Sequence, residues 1–152
     1  MRVMCAGVLL LAVCWLGAGA ALAQEARFIG TRQCAECHEE QFENYQKYSK
    51  KAHSWESVKI MLSDLKPKEA AKCFECHTTG YGKPGGFTSY EATPEMADVG
   101  CETCHGPGSL HAEDGDPELI SRTPTIQDCQ VCHSEERVGD FNFKPLLFSG
   151  AH

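Results

Sequence analysis

Cys34-Ala35-Glu36-Cys37-His38, Cys73-Phe74-Glu75-Cys76-His77, Cys101-Glu102-Thr103-Cys104-His105 and Cys129-Gln130-Val131-Cys132-His133 repeat one pattern four times. In Cys-x-x-Cys-His, two thiols form thioethers to a porphyrin and the adjacent histidine ligates its iron, so each pentapeptide is a c-type haem attachment signature. Of the 10 cysteines in the chain, the four motifs use every one beyond Cys14. Structural zinc sites also use Cys-x-x-Cys pairs, but zinc gives no reason for a histidine directly after every second cysteine. A disulfide framework explains neither the fixed spacing nor the histidine. The cofactors expected are four covalently attached c-type haems, held by Cys34, Cys37, Cys73, Cys76, Cys101, Cys104, Cys129 and Cys132. Their proximal iron ligands are His38, His77, His105 and His133.

The start of the chain agrees with this chemistry, because haem attachment of this kind belongs outside the cytoplasm. Met1-Arg2 is a minimal charged region, Val3 to Ala20 is apolar, and Ala21-Leu22-Ala23 offers small residues for cleavage before Gln24. Residues 1–23 therefore read as a cleaved signal peptide and 24–152 as one tetrahaem domain, exported to the periplasm, with an extracellular destination left open. Leu11-Ala12-Val13-Cys14 has the outline of a lipoprotein box, but Val13 is bulky where a small residue is needed. No other stretch approaches the roughly 20 apolar residues that span a bilayer, so no membrane span is expected.

A mature chain this short cannot wrap four porphyrins in a side-chain core. The expected fold is mainly α with extensive irregular loops, a compact multihaem arrangement in which the haems are the core. The formal net charge is −7, and loss of Arg2 with the leader makes it one unit more negative. That balance speaks against nucleic acid and anionic lipid and for redox partner proteins with basic docking surfaces.

Regular structure should be short and helical. A helix from Thr31 is expected to carry the first motif and run through Phe42, Tyr45 and Ser49. A second is expected near Ser54, burying Trp55, Val58, Met61 or Leu62, and Leu65, with Pro67 at or just beyond its end. Thr125 to Asp128 reads as a capping box leading into the fourth motif. Gly80-Tyr81-Gly82-Lys83-Pro84-Gly85 matches a dinucleotide fingerprint formally, yet no strand precedes it and Pro84 sits where a helix should begin, so it reads as a turn. Gly106 to Pro124, with three prolines and the cluster Glu113-Asp114-Gly115-Asp116, reads as a surface loop.

Four of the 7 histidines are proximal, leaving His53, His111 and His152 for four distal positions. Three haems can be bis-histidine, and one must lack a distal histidine. Met61 and Met96 carry thioethers, but each sits more naturally as packing.

Several stretches beyond the haem motifs are informative. These are Tyr45, Ser49 and Ala52-His53 after the first motif, the block from Cys76-His77-Thr78-Thr79 through Gly86-Phe87, and Val99-Gly100 through Gly106-Pro107-Gly108 to His111. In these residues, and over essentially the whole mature chain, the sequence resembles the tetrahaem cytochrome c-554 family of ammonia oxidisers. The resemblance implies three bis-histidine haems and one that is five-coordinate and high-spin. It places His111 distal to the haem of His38, His53 to that of His133 and His152 to that of His105, leaving the open iron on His77. The chain departs from the family in a shorter linker between the first two motifs and a much shorter C-terminal region.

Three functions compete. The leading one is an exported electron carrier passing electrons between redox partners through closely packed haems, with no catalytic residue. The second is an enzyme reducing a small nitrogen-oxide ligand such as nitric oxide, nitrite or hydroxylamine at the open haem, which also needs proton donors at the vacant face. The third is a subunit of a larger multihaem assembly or filament, built by self-association of end haems. The purified mature protein is expected to exceed its polypeptide mass by four haems in mass spectrometry. Three or fewer, or zinc by elemental analysis, contradicts the cysteine chemistry.

Overall fold

The computed structural model describes residues 24–137. Among the described residues there are α-helices and 3-10 turns and no strand. The helices are α1 (Thr31–Ala35), α2 (Glu39–Tyr48), α3 (Trp55–Lys59), α4 (Pro67–His77), α5 (Cys101–His105), α6 (Ser109–Asp114) and α7 (Ile126–Gln130). None exceeds the 11 residues of α4. The expected signal peptide and residues 138–152, with the expected ligand His152, lie outside the described residues.

The helix expected to run unbroken from Thr31 to Ser49 is two helices. The chain leaves helical geometry at His38, with φ −119° and ψ 49°, and restarts with Glu39 and Glu40 in the first turn of α2. Acidic residues there face the positive end of the new helix dipole, which favours a fresh start over continuation. The expected helix at Ser54 is also interrupted: α3 ends at Lys59 and a 3-10 turn follows at Leu62–Asp64. Trp55 and Val58 are buried as expected, whereas Met61 is 48% exposed. Pro67 opens α4 instead of closing its predecessor. Its missing N–H costs nothing at the first helical position, and the Lys66 backbone N–H donates to Glu69 Oε2 at 2.8 Å.

The stretch from Gly106 to Pro124 is not simply a loop, because it contains α6 and a 3-10 turn at Pro117–Leu119. Gly115, with φ 73°, ends α6 in the left-handed conformation that glycine adopts at helix termini. The box at Thr125 forms as expected: the Thr125 backbone N–H and hydroxyl donate to Asp128 Oδ2 at 2.7 and 2.8 Å. Those bonds, the backbone one first, hold the Asp128 carboxyl below its ordinary range.

The described chain also builds an apolar nucleus of its own. Phe28, Trp55, Val58, Phe87, Met96 and Ala97 are buried together, with Leu62, Phe74 and Tyr81 packed against them. Trp55 meets Phe87 at 5.4 Å and Phe74 meets Phe87 at 5.2 Å between ring centres, within the range of favourable aromatic pairs. Phe74 is a spacer residue of the second motif, so this cluster anchors one haem attachment site directly. Met96, at 2% exposed, is part of the packing.

The glycine-rich segment is the turn expected, closed by Lys83 N–H to Gly80 O at 2.9 Å and Gly86 N–H to Lys83 O at 3.0 Å. Phe28 crosses it, donating its N–H to Pro84 O at 3.0 Å. The turn is so tight that a Cβ on Gly86 would lie 1.8 Å from Gly80 O. Gly86→Ala is expected to lower unfolding free energy by at least about 1–3 kcal/mol, the usual cost of overpacking. Chemical denaturation checks this, and a midpoint equal to wild type contradicts it.

Candidate haem-binding site

Each motif is built as a single helical turn, which places both thiols and the histidine on one face. Cys34 lies in α1, and His38 N–H reaches back to Cys34 O at 2.9 Å. The second motif forms the end of α4, the third is the whole of α5, and the fourth leaves α7 with His133 N–H on Cys129 O at 2.9 Å. The expected cofactor residues of each motif are therefore brought together.

The motifs are also brought to one another. The Cys34 and Cys101 thiols interact so closely that Cys34 is pushed up and Cys101 down to about 7, each chiefly through the other. Burial and then Cys129 raise Cys104. Burial, followed by Cys76, pushes Cys132 up to about 12. Thioethers do not titrate, so after haem attachment these perturbations matter only as signs of proximity. The order of neighbours is first motif, third, fourth, second. Arg137 lies at the far end, with Nη1 2.8 Å from Cys76 Sγ.

Among the histidines, His38 and His111 face each other with ring centres 6.2 Å apart and planes 22° from parallel. An imidazole nitrogen sits about 2 Å from a metal it ligates and its ring centre roughly 1 Å further back, so two axial imidazoles on one ion lie about 6 Å apart. The 6.2 Å between the His38 and His111 ring centres matches that spacing. His111 Nδ1 lies 2.9 Å from Asp116 O and His105 Nδ1 lies 2.6 Å from Ser121 O. Such bonds orient a ligating ring and leave Nε2 for the metal. Among the described residues, His77 Nδ1 is buried with no hydrogen-bond partner, so no such bond orients this ring. Burial, then the Lys51 charge, lowers the pKa of His133, favouring the neutral ring that a metal requires. His53 points Nε2 at Gln46 O, 2.9 Å away. The residues present thus fit c-type haems at the motifs.

The segment 96–100 ties these pieces together. The Tyr45 hydroxyl donates to Val99 O. Ser54 Oγ accepts from Val99 N–H at 2.9 Å and donates to His77 O at 2.8 Å. Thr79 Oγ1 donates to Asp98 O and accepts from Gly100 N–H, both at 2.7 Å. Asp98 accepts the Trp55 N–H at 2.8 Å, and burial raises its carboxyl above the usual range. Ser54, Thr79 and Glu102 were not apparent from sequence as site residues, because single hydroxyls and a motif spacer carry no spacing signal.

Helical turns of Cys-x-x-Cys-His gathered in this way, with one pair of imidazoles at the spacing of two axial ligands, define a multihaem c-type cytochrome. Residues 33–106 match the family described as cytochrome c554 and c-prime. Cytochrome c-554 of Nitrosomonas europaea is 35% identical over 121 residues, covering 71% of this chain and 51% of that protein. The chain therefore spans about half the length of that curated relative. The solved structure of reduced cytochrome c554 from the same organism shares the fold, with a TM-score of 0.60 at 22% identity over 83% of this chain and 84% of that one. The chain thus resembles the cytochrome c-554 family in sequence and in fold.

Removing the Ser54 hydroxyl strands the Val99 N–H and takes a donor from His77 O. Ser54→Ala is expected to cost about 1–3 kcal/mol of stability, the range for a buried group left unsatisfied. Thermal or denaturant unfolding followed in the haem absorbance measures it, and an unchanged midpoint contradicts the role given to this hydroxyl.

Proposed function

We propose that this chain is an exported, periplasmic tetrahaem cytochrome that carries electrons between redox partners. Each haem iron supplies one-electron chemistry when bound, alternating between ferric and ferrous. The polypeptide contributes the axial ligands, their orientation and the spacing between attachment sites. The observation that carries this reading is the proximity of thiols from different motifs, which makes the attachment sites neighbours in the order first, third, fourth, second. Neighbouring sites are what a relay needs, and the His38 and His77 motifs stand at the two ends of that order.

His111 is the distal ligand opposite His38, as their ring geometry supports. Family resemblance assigns His53 to the His133 haem and His152 to the His105 haem. Two axial imidazoles leave an iron no position for a substrate, so those three sites exchange electrons without binding ligands. His77 is then left without a distal histidine. The net negative charge selects partners with basic faces, and among the described residues no helix is long and apolar enough to cross a membrane.

Electron paramagnetic resonance of the oxidised protein, with carbon monoxide added to the reduced protein, tests this coordination. About one quarter of the haem absorbance is expected to respond to ligand and the remainder to be low-spin. His53→Ala is expected to open one further site of similar size. A wild-type protein that binds no ligand would show that another side chain closes the His77 iron.

A further inference from the structure

Glu102, a spacer residue of the third motif, is 1% exposed. Its Oε1 accepts from Ile29 N–H at 3.0 Å and Gly108 N–H at 2.7 Å, and its Oε2 from Ile29 N–H at 3.1 Å and Gly30 N–H at 2.7 Å. An ionised carboxylate is acceptor-only and suits three converging amides, and charge-assisted bonds of this kind are the strong ones. The donors come from two arms. Ile29 and Gly30 lead directly into α1 and so to Cys34 and His38, while Gly108 precedes α6, which carries His111. The arms touch each other as well, through Arg27 N–H to Ser109 Oγ at 2.9 Å and Ser109 N–H to Arg27 O at 3.1 Å. The residues at the same spacer position of the other motifs, Ala35, Phe74 and Gln130, are half-buried or exposed. The first spacer is therefore not buried by the motif itself; Glu102 is buried where two ligand-bearing arms meet.

We propose that Glu102 is the positioning residue that holds His111 opposite His38, and so controls whether the first haem is closed to ligands. This rests on the reading of His38 and His111 as an axial pair. Glu102 reaches no ligand ring itself and acts through the two arms. Glu102→Gln keeps the shape but turns one acceptor oxygen into a donor facing backbone amides, so the arms separate. Gly108→Ala disturbs the same contact more gently, since its Cβ would lie 3.2 Å from Glu102 Oε1.

The test compares wild type, Glu102→Gln, Gly108→Ala and His111→Ala as haem-loaded proteins, reading carbon monoxide binding when reduced and spin state when oxidised. His111→Ala is expected to add one haem's share of ligand-binding absorbance, about one quarter of the total. Glu102→Gln is expected to add part or all of the same share, with added imidazole returning the oxidised protein to low spin. A purely structural role would lower stability and broaden every haem signal without opening one site. If His111→Ala opens a site and Glu102→Gln matches wild type, the role of Glu102 is wrong. If His111→Ala itself matches wild type, the axial pairing is wrong and the proposal falls with it. Should Glu102→Gln fail to fold, Gly108→Ala decides: a new ligand-binding fraction supports the proposal, and wild-type behaviour overturns it.

Discussion

Backbone amides and carbonyls that are buried outside regular structure must find partners, and at residues 96–100 side chains provide them. Hydroxyls of Tyr45, Ser54 and Thr79 bond the main chain there, and Asp98 returns a bond to the Trp55 amide. Nearly all buried main-chain groups in folded proteins are paired, and helices this short satisfy few of them internally. The consequence is a junction where α2, α3 and the residues after the second motif all meet just before the third. Gly100 is required at its end, because a Cβ there would lie 2.1 Å from Thr31 Oγ1. The haem attachment turns are held at fixed mutual positions by this polar strap as much as by apolar packing.

The apolar part of the fold is small and local. Its aromatic cluster surrounds Phe74 inside the second motif and extends to the surface through Trp55 and Tyr90, whose rings stack at 5.3 Å and 8°. Exposed apolar residues such as Val131 and Ile126 lie in or beside the fourth motif, where a porphyrin would cover them. The burial is thus uneven: the second attachment site rests on packed side chains, while apolar residues at the fourth are exposed. Two carboxylates show how differently a short chain uses charge. Glu102 is buried among amides, whereas Asp128 is fully exposed and caps α7.

Elements with a strong local cause were legible in the sequence. The glycine turn at 80–86 follows from residues that tolerate positive φ, and the box at Thr125 from two side chains three positions apart. Elements whose boundaries depend on competition were not. The break at His38, the start of α4 at Pro67 and the helix α6 within a proline- and acid-rich stretch each turn on where a helix gains more by restarting or capping than by continuing. Hydrophobic periodicity carries little of that signal in segments of 5 or 6 residues.

By itself the sequence determined the pattern: four pairs of cysteines, each pair followed by a histidine, and three further histidines, one fewer than the motifs. These are matters of covalent spacing and counting, which do not depend on how distant segments meet. Only the tertiary structure decided which groups face each other. It brought the His111 ring to 6.2 Å from that of His38, made the motifs neighbours in the order first, third, fourth and second, and buried Glu102 while leaving Glu36 and Glu75 exposed. Glu102 and the Ile29 amide are 73 positions apart in the chain, and a contact across that separation exists only when the intervening helices pack.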